Sequence, residues 1–313
     1  MLSSLYLEIE ILQMKIKSAS LTDIGLTAIA PAIWGSTYLV TTEFLPHGYP
    51  LTVAMLRALP AGLILLLIVR QLPQGIWWAR SFILGALNFS FFWAMLFVSA
   101  YRLPGGVAAT VGAIQPLIVV MLARMLIGTP VKTQAIVAGI VGMAGVGLLV
   151  LTPGAALDPI GIIAGLAGAV SMAFGTVLTR HWAPPVSSLT FTAWQLTAGG
   201  LLLLPVALLL EPALPMPTMA NVLGMAWLGL IGAAFTYLLW FRGLSRLDPA
   251  AVASLGFLSP LVATLLGWGV LNQNLTPLQV TGMAAVLVSV WLGQRAQMAP
   301  RSVATVTART VSP

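Results

Sequence analysis

The sequence predicts an all-α integral membrane protein with ten transmembrane helices, arranged as two inverted five-helix repeats around a central cavity. Three observations carry that prediction. Of the 313 residues 59% are hydrophobic and only 7% are charged, whereas a soluble domain carries roughly a quarter charged residues. The apolar residues come in runs of about twenty, the length that crosses a bilayer's hydrocarbon core. Motifs of the first half recur in the second. Lipid is the expected solvent.

Taken in order, residues 1–23 read as a cytoplasmic N-terminal tail or interfacial segment. Leu5 to Leu12 alternates apolar and polar residues, includes Glu8 and Glu10, and lacks the cleavage site of a secretory signal. Met14-Lys15-Ile16-Lys17 reads as a start of its own, leaving residues 1–13 as an upstream extension or a short interfacial helix. Apolar runs between Pro, Gly and charged residues place spans near 24–42, 51–69, 81–100, 105–127 and 133–151. These form a first repeat over 24–152. Spans near 160–179, 189–210, 219–241, 249–271 and 277–294 form a second over 159–295. Short connections such as Ala183-Pro184-Pro185 and Asn272-Gln273-Asn274 make consecutive helices antiparallel neighbours. Residues 296–313 read as a cytoplasmic C-terminal tail, polar and disordered from Ala299.

The net charge of +7 does not point to nucleic acid, because the Lys and Arg residues are scattered singly between apolar runs. Their spacing sets topology. Lys15, Lys17, Arg70, Arg80, Arg124, Lys132, Arg180, Arg242, Arg246, Arg295, Arg301 and Arg309 all fall on the side of the N-terminus. Basic residues near span ends collect in the cytoplasm, so both termini are expected there. The chain has no Cys, which excludes disulfides, thiolate nucleophiles and thiolate metal sites. His47 and His181 fall on opposite sides, and no span carries a carboxylate pair. No cofactor or metal site is expected, and a membrane-embedded enzyme has little to work with. A channel would need a charged ring or a carbonyl filter, and neither is evident.

An offset of 144 residues aligns Leu84-Gly85 with Leu228-Gly229, Phe97 with Phe241, and Arg102-Leu103 with Arg246-Leu247. It continues through Ala109, Gly112 and Pro116-Leu117, matched by Ala253, Gly256 and Pro260-Leu261. Slightly smaller offsets match Trp34-Gly35 with Phe174-Gly175 and Leu51-Thr52 with Leu189-Thr190. Five crossings per repeat invert the second copy. Arg102 and Arg246 are therefore equivalent yet on opposite sides, and inverted repeats point to a transporter with a central site opened to each side in turn.

With Ala32-Ile33-Trp34-Gly35-Ser36-Thr37-Tyr38 in the first span, Leu56-Arg57 in the second, and Gly112 to Pro116 repeated at Gly256 to Pro260, the chain resembles the drug/metabolite transporter superfamily. The resemblance is to its ten-helix exporters with tandem EamA domains, over roughly residues 24–295. It implies export, or facilitated diffusion, of amino acids and related metabolites across a bacterial inner membrane. Proton-coupled efflux of drugs or toxic cations is the alternative. The carboxylates Glu8, Glu10, Asp23, Glu43, Asp158, Glu211 and Asp248 all lie outside the middle of the spans. A uniporter or facilitated exporter without an embedded proton carrier is expected, with Glu43 and His47 at the outer rim as remaining links to protons.

Recognition then falls to polar and aromatic groups within the spans. Trp34 and Tyr38, four apart on one helical face, suit an aromatic wall or a packing stripe. Asn88, Trp93, Tyr237 and Trp240 occupy related places in the two halves, as cavity lining or as helix-to-helix bonds. Gln115-Pro116 and Ser259-Pro260 are repeat partners. The prolines offer hinges and freed carbonyls, Gln115 and Ser259 polar contacts. Arg57 lies about 9 Å into its span, with an uncharged counterpart near Gln195. It fits a substrate carboxylate or an ion pair with Glu43. Gly139, Gly142, Gly145, Gly147, Gly161, Gly165 and Gly168 allow close helix approach, and Gly161-x-x-x-Gly165 fits a monomer or a weak homodimer.

Overall fold

A computed structural model describes residues 2–46, 48–103, 111–150, 158–272 and 274–298, with the backbone alone for 2–20, 38, 97, 100, 101, 297 and 298. His47, the Tyr38 side chain, residues 104–110 of the expected fourth span and the tail from Ala299 lie outside the described residues.

The helices are α1 Leu2–Phe44, α2 Pro50–Val69, α3 Trp77–Gly85, α4 Phe91–Arg102, α5 Gln115–Ile127, α6 Thr133–Val150 and α7 Pro159–Trp182. The chain continues with α8 Ser188–Leu210, α9 Met219–Ala226, α10 Thr236–Arg246, α11 Pro249–Leu255, α12 Leu258–Leu271 and α13 Pro277–Met298. Two π-helical segments, π1 Ala86–Ser90 and π2 Trp227–Phe235, join α3 to α4 and α9 to α10. Nine helical stretches among the described residues are long and apolar enough to cross a membrane, and Gln115–Ile127 is a shorter apolar helix. This agrees with the ten expected spans. The segment ahead of the first span is helical and continuous with it, since α1 begins at Leu2. Large apolar side chains such as Leu67, Met125 and Leu209 point outward, as lipid contact requires.

Helix ends follow local chemistry. Asp158, Ser187, Thr218 and Asp248 cap α7, α8, α9 and α11 with side-chain oxygens on first-turn amides. The backbone hydrogen bond from Gly161 holds the Asp158 carboxyl below its usual 3.8. The cap is therefore fully in place above that pH and is lost only as pH falls through the lower folded value. The Glu211 carboxylate, at the end of α8, accepts from Leu51 N and Thr52 N at 2.7 Å and from Thr52 Oγ1 at 2.6 Å, closing the first turn of α2. Glu211→Ala leaves those amides without their acceptor and is expected to cost about 1–2 kcal/mol. A lowered melting temperature in detergent is the check.

The second and fifth spans of the two halves pack on their counterparts, whereas the first span of each half packs on the third and fourth of the other. The most extensive contact is α2 on α8 and the next is α6 on α13. Contacts of α7 with α4 and α5 are matched by those of α1 with α10 and α12. At the α2–α8 seam a Cβ on Gly62 would sit 2.4 Å from Thr197 N, and one on Gly200 2.6 Å from Leu59 Cα. Arg102 pairs with Asp158 at 3.4 Å, and Arg246, its counterpart at the 144-residue offset, pairs with Asp23 at 3.4 Å beside Arg242 at 2.6 Å.

Several expectations change. Pro116 and Pro260 are not kinks inside continuous helices: they are the second residue of α5 and the third of α12. A turn at 113–114 and another at 256–257 precede them. A proline cannot accept a helix through the preceding turn, so the spans break there. Gly161 and Gly165 meet Leu103 and Ser99 of the same chain, the within-chain packing that the small-residue pattern allows.

Candidate substrate path

The centre of the bundle is a cluster of aromatic rings held by helices of both halves. Trp34 from α1 lies 4.9 Å from Tyr237 and 5.0 Å from Trp240, both on α10. Phe89 of π1 is 4.5 Å from Tyr237 and 5.3 Å from Trp93. The rings continue through Phe241, 5.7 Å from Tyr237, to Phe191, 5.5 Å further on. Phe191 and Phe241 also line a cavity of about 280 Å³ with Thr179, Arg180, Ser187 and Ser188. An aromatic column thus connects that cavity to the protein centre.

Arg57 ends the column at the other side. It is the eighth residue of α2, 9% exposed, and its guanidinium carbon lies 5.0 Å from the Trp93 ring centroid. Its Nη2 donates to Gly232 O at 2.7 Å. Gly232 belongs to π2, whose wide turn re-aims backbone carbonyls. The same carbonyl accepts from Thr236 Oγ1 at 2.9 Å, and Thr236 Oγ1 accepts from Trp34 Nε1 at 2.9 Å. One hydrogen-bonded chain therefore links Arg57 to Trp34.

A second polar contact lies opposite. Asn88 Nδ2 in π1 donates to Gln195 Oε1 in α8 at 2.7 Å. Both residues are about fully buried. Asn88 Oδ1, Gln195 Nε2 and Trp240 Nε1 have no hydrogen-bond partner among the described residues, an arrangement a lipid-surrounded core rarely keeps without a use.

The structure thus gathers Trp34, Trp93, Tyr237 and Trp240 with Arg57, while Asn88 stands beside Phe89 on π1. It does not pair Arg57 with Glu43: Glu43 is exposed, with Oε1 3.4 Å from Thr42 Oγ1. The guanidinium instead crosses to π2, because it starts two turns inside α2. Gln115 and Ser259 are half-buried at the two span breaks. The Ser259 carbonyl packs on Gly35, beside Trp34, while no ring contact or hydrogen bond among the described residues joins Gln115 to the cluster. Thr236, Gly232, Phe89 and Gln195 were missed as site residues. Gly232 is the repeat counterpart of Asn88 and Gln195 that of Arg57, a signal available in the sequence. Among the described residues no three His, Asp or Glu gather into a metal site.

The model of the EamA-like transporter family matches the chain twice, over residues 22–151 and 159–293. Protein PecM of Dickeya dadantii is 48% identical over 82% of this chain and 87% of its own length. A more distant relative, a probable terminal-alkyne amino-acid exporter of Streptantibioticus cattleyicolor, is 24% identical over 69% of this chain and 73% of its own. A solved crystal structure shares the fold with a TM-score of 0.76 at 22% identity, over 88% of this chain and 98% of the other.

Proposed function

The chain belongs to the EamA-like transporter family, a multi-pass membrane transporter and not an enzyme, and from that premise we propose that it moves amino acids and related carboxylate metabolites. Export or facilitated diffusion would proceed by alternating access between two inverted repeats, residues 24–152 and 159–295. Both termini would lie in the cytoplasm, and the membrane would be a bacterial inner membrane.

The observation that carries the substrate class is Arg57, a buried guanidinium 5.0 Å from the Trp93 ring and bonded to Gly232 O, beside the aromatic cluster rather than at the lipid interface. A fixed cation in an apolar aromatic surround suits a solute with a carboxylate and an apolar body. The exporter named for an amino acid among the relatives supports that class. The described carboxylates Asp23, Glu43, Asp158, Glu211 and Asp248 lie at span ends or in loops, so energy would come from the solute's own gradient.

Uptake of labelled phenylalanine and threonine into liposomes holding the purified protein tests this reading. Saturable uptake, unchanged by an imposed proton gradient, is expected. Uphill movement of a lipophilic cation driven by that gradient, with no amino-acid flux, would establish the drug-efflux alternative instead.

A further inference from the structure

The two polar contacts beside the aromatic cluster are the same contact seen twice. Arg57 is the eighth residue of α2 and Gln195 the eighth of α8. At the 144-residue offset Asn88 corresponds to Gly232 and Gly85 to Gly229. Arg57 on Gly232 O, at 2.7 Å, therefore corresponds to Gln195 on Asn88, at 2.7 Å. Each joins the second span of one half to the π-segment of the other.

The two interfaces are not equally tight. A Cβ on Gly85 would lie 2.8 Å from Gly199 N and 2.9 Å from Gln195 O. At the matching place a Cβ on Gly229 would lie 3.6 Å from Arg57 O, an ordinary contact. Ser90 Oγ adds a hydrogen bond to Gly199 O at 2.8 Å on the tight side. The tight interface lies nearer the end of α8 that follows Arg180, the side expected to be cytoplasmic, and Gln195 is about one turn of α8 beyond Phe191, which lines the cavity described above.

We propose that these interfaces are the two gates of the transport path. Gly85, Asn88 and Gln195 form the cytoplasmic gate, which is shut in this structure. Gly229, Gly232 and Arg57 form the outer gate, which is slack. The inference rests on the inverted-repeat reading above and assigns the gate residues that reading lacks. When the repeats exchange shapes, Gly229 moves onto the α2 backbone as Gly85 now lies on α8, and Gly85 draws back from the α8 backbone. The donor and acceptor left over in that amide pair then meet water or solute, which accounts for keeping them in the core.

The chain has no Cys, so one introduced thiol reports access cleanly. Ala234→Cys puts it on π2 within the aromatic core, 8% exposed. A membrane-impermeant maleimide is applied to inside-out and right-side-out vesicles. Gly85→Ala forces the tight interface apart and is expected to raise cytoplasmic labelling at least threefold. Gly229→Ala fits the present state but not the exchanged one, and is expected to lower cytoplasmic labelling. Gln195→Ala removes the gate's hydrogen bond without adding an atom. It is expected to move labelling as Gly85→Ala does, which keeps the test open if the alanine at 85 prevents folding. Glycine variants that shift labelling in the same direction, or a folded Gln195→Ala protein labelled like the parent, would overturn the assignment. No solute is needed, so failure of amino-acid uptake and failure of the gates are separate results.

Discussion

Replacing Arg57 by glutamine is expected to reduce uptake of carboxylate solutes by ~10- to 100-fold while leaving the protein folded. The estimate follows from a hydrogen bond to a charged group, about 1.5–3 kcal/mol, at about 1.4 kcal/mol per tenfold change. Glutamine keeps a donor for Gly232 O but removes the charge and the planar face over Trp93. Lysine keeps the charge and loses the fork and the stacking, so Arg57→Lys should retain part of the activity. If Arg57 only ties α2 to π2, both variants lower the melting temperature, and uptake falls only as far as the folded fraction does. A substrate role instead raises KM at an unchanged melting temperature, and liposome kinetics beside thermal unfolding separate the two.

The largest expected effect on stability belongs to the α2–α8 seam. Gly62→Ala places a Cβ 2.4 Å from Thr197 N, and Gly200→Ala places one 2.6 Å from Leu59 Cα. These neighbours are backbone atoms that no rotamer change can move aside, so the helices must separate. Overpacking of this kind costs about 1–3 kcal/mol at each site. The double variant is expected to fall short of additivity, because one separation relieves both clashes. Gly25→Ala and Gly269→Ala, where nothing lies within 4 Å of the new atom, are the controls. Helix propensity should make them neutral or slightly stabilising, by about 0.5–1 kcal/mol. Equal melting temperatures for the seam variants and these controls would remove the close seam from the account.

Much of this architecture is legible in the sequence because lipid imposes it. Spans of about twenty apolar residues and unpaired Gly or Pro punctuation leave few other folds. The aromatic cluster is legible in part: Trp34 shares a helical face with Tyr38, and Trp93, Tyr237 and Trp240 occupy related places in the two halves. What they touch is not. The Arg57 partner was missed because an exposed carboxylate, Glu43, is the obvious choice by charge. A backbone carbonyl in a π-helix leaves no mark of its own in the sequence. The spans that contain Pro116 and Pro260 read as continuous helices with a hinge, whereas the helices break in the turns ahead of those prolines. A proline marks where a helix cannot continue toward the N-terminus, and the break appears in the turn ahead of it. Gln195 was noticed only as the uncharged counterpart of Arg57. Its bond to Asn88 depends on helix packing between the two halves, which spacing along one chain does not record.

The measurement that tests the central claim most directly is competition in liposomes. Uptake of labelled phenylalanine by the unaltered protein is followed with unlabelled phenylalanine, phenylalaninamide or phenethylamine present. Only the first keeps a carboxylate for Arg57. The account predicts that phenylalanine competes fully and that the two analogues compete at least tenfold more weakly. Equal competition by all three would contradict it, because the guanidinium would then have no part in holding the solute.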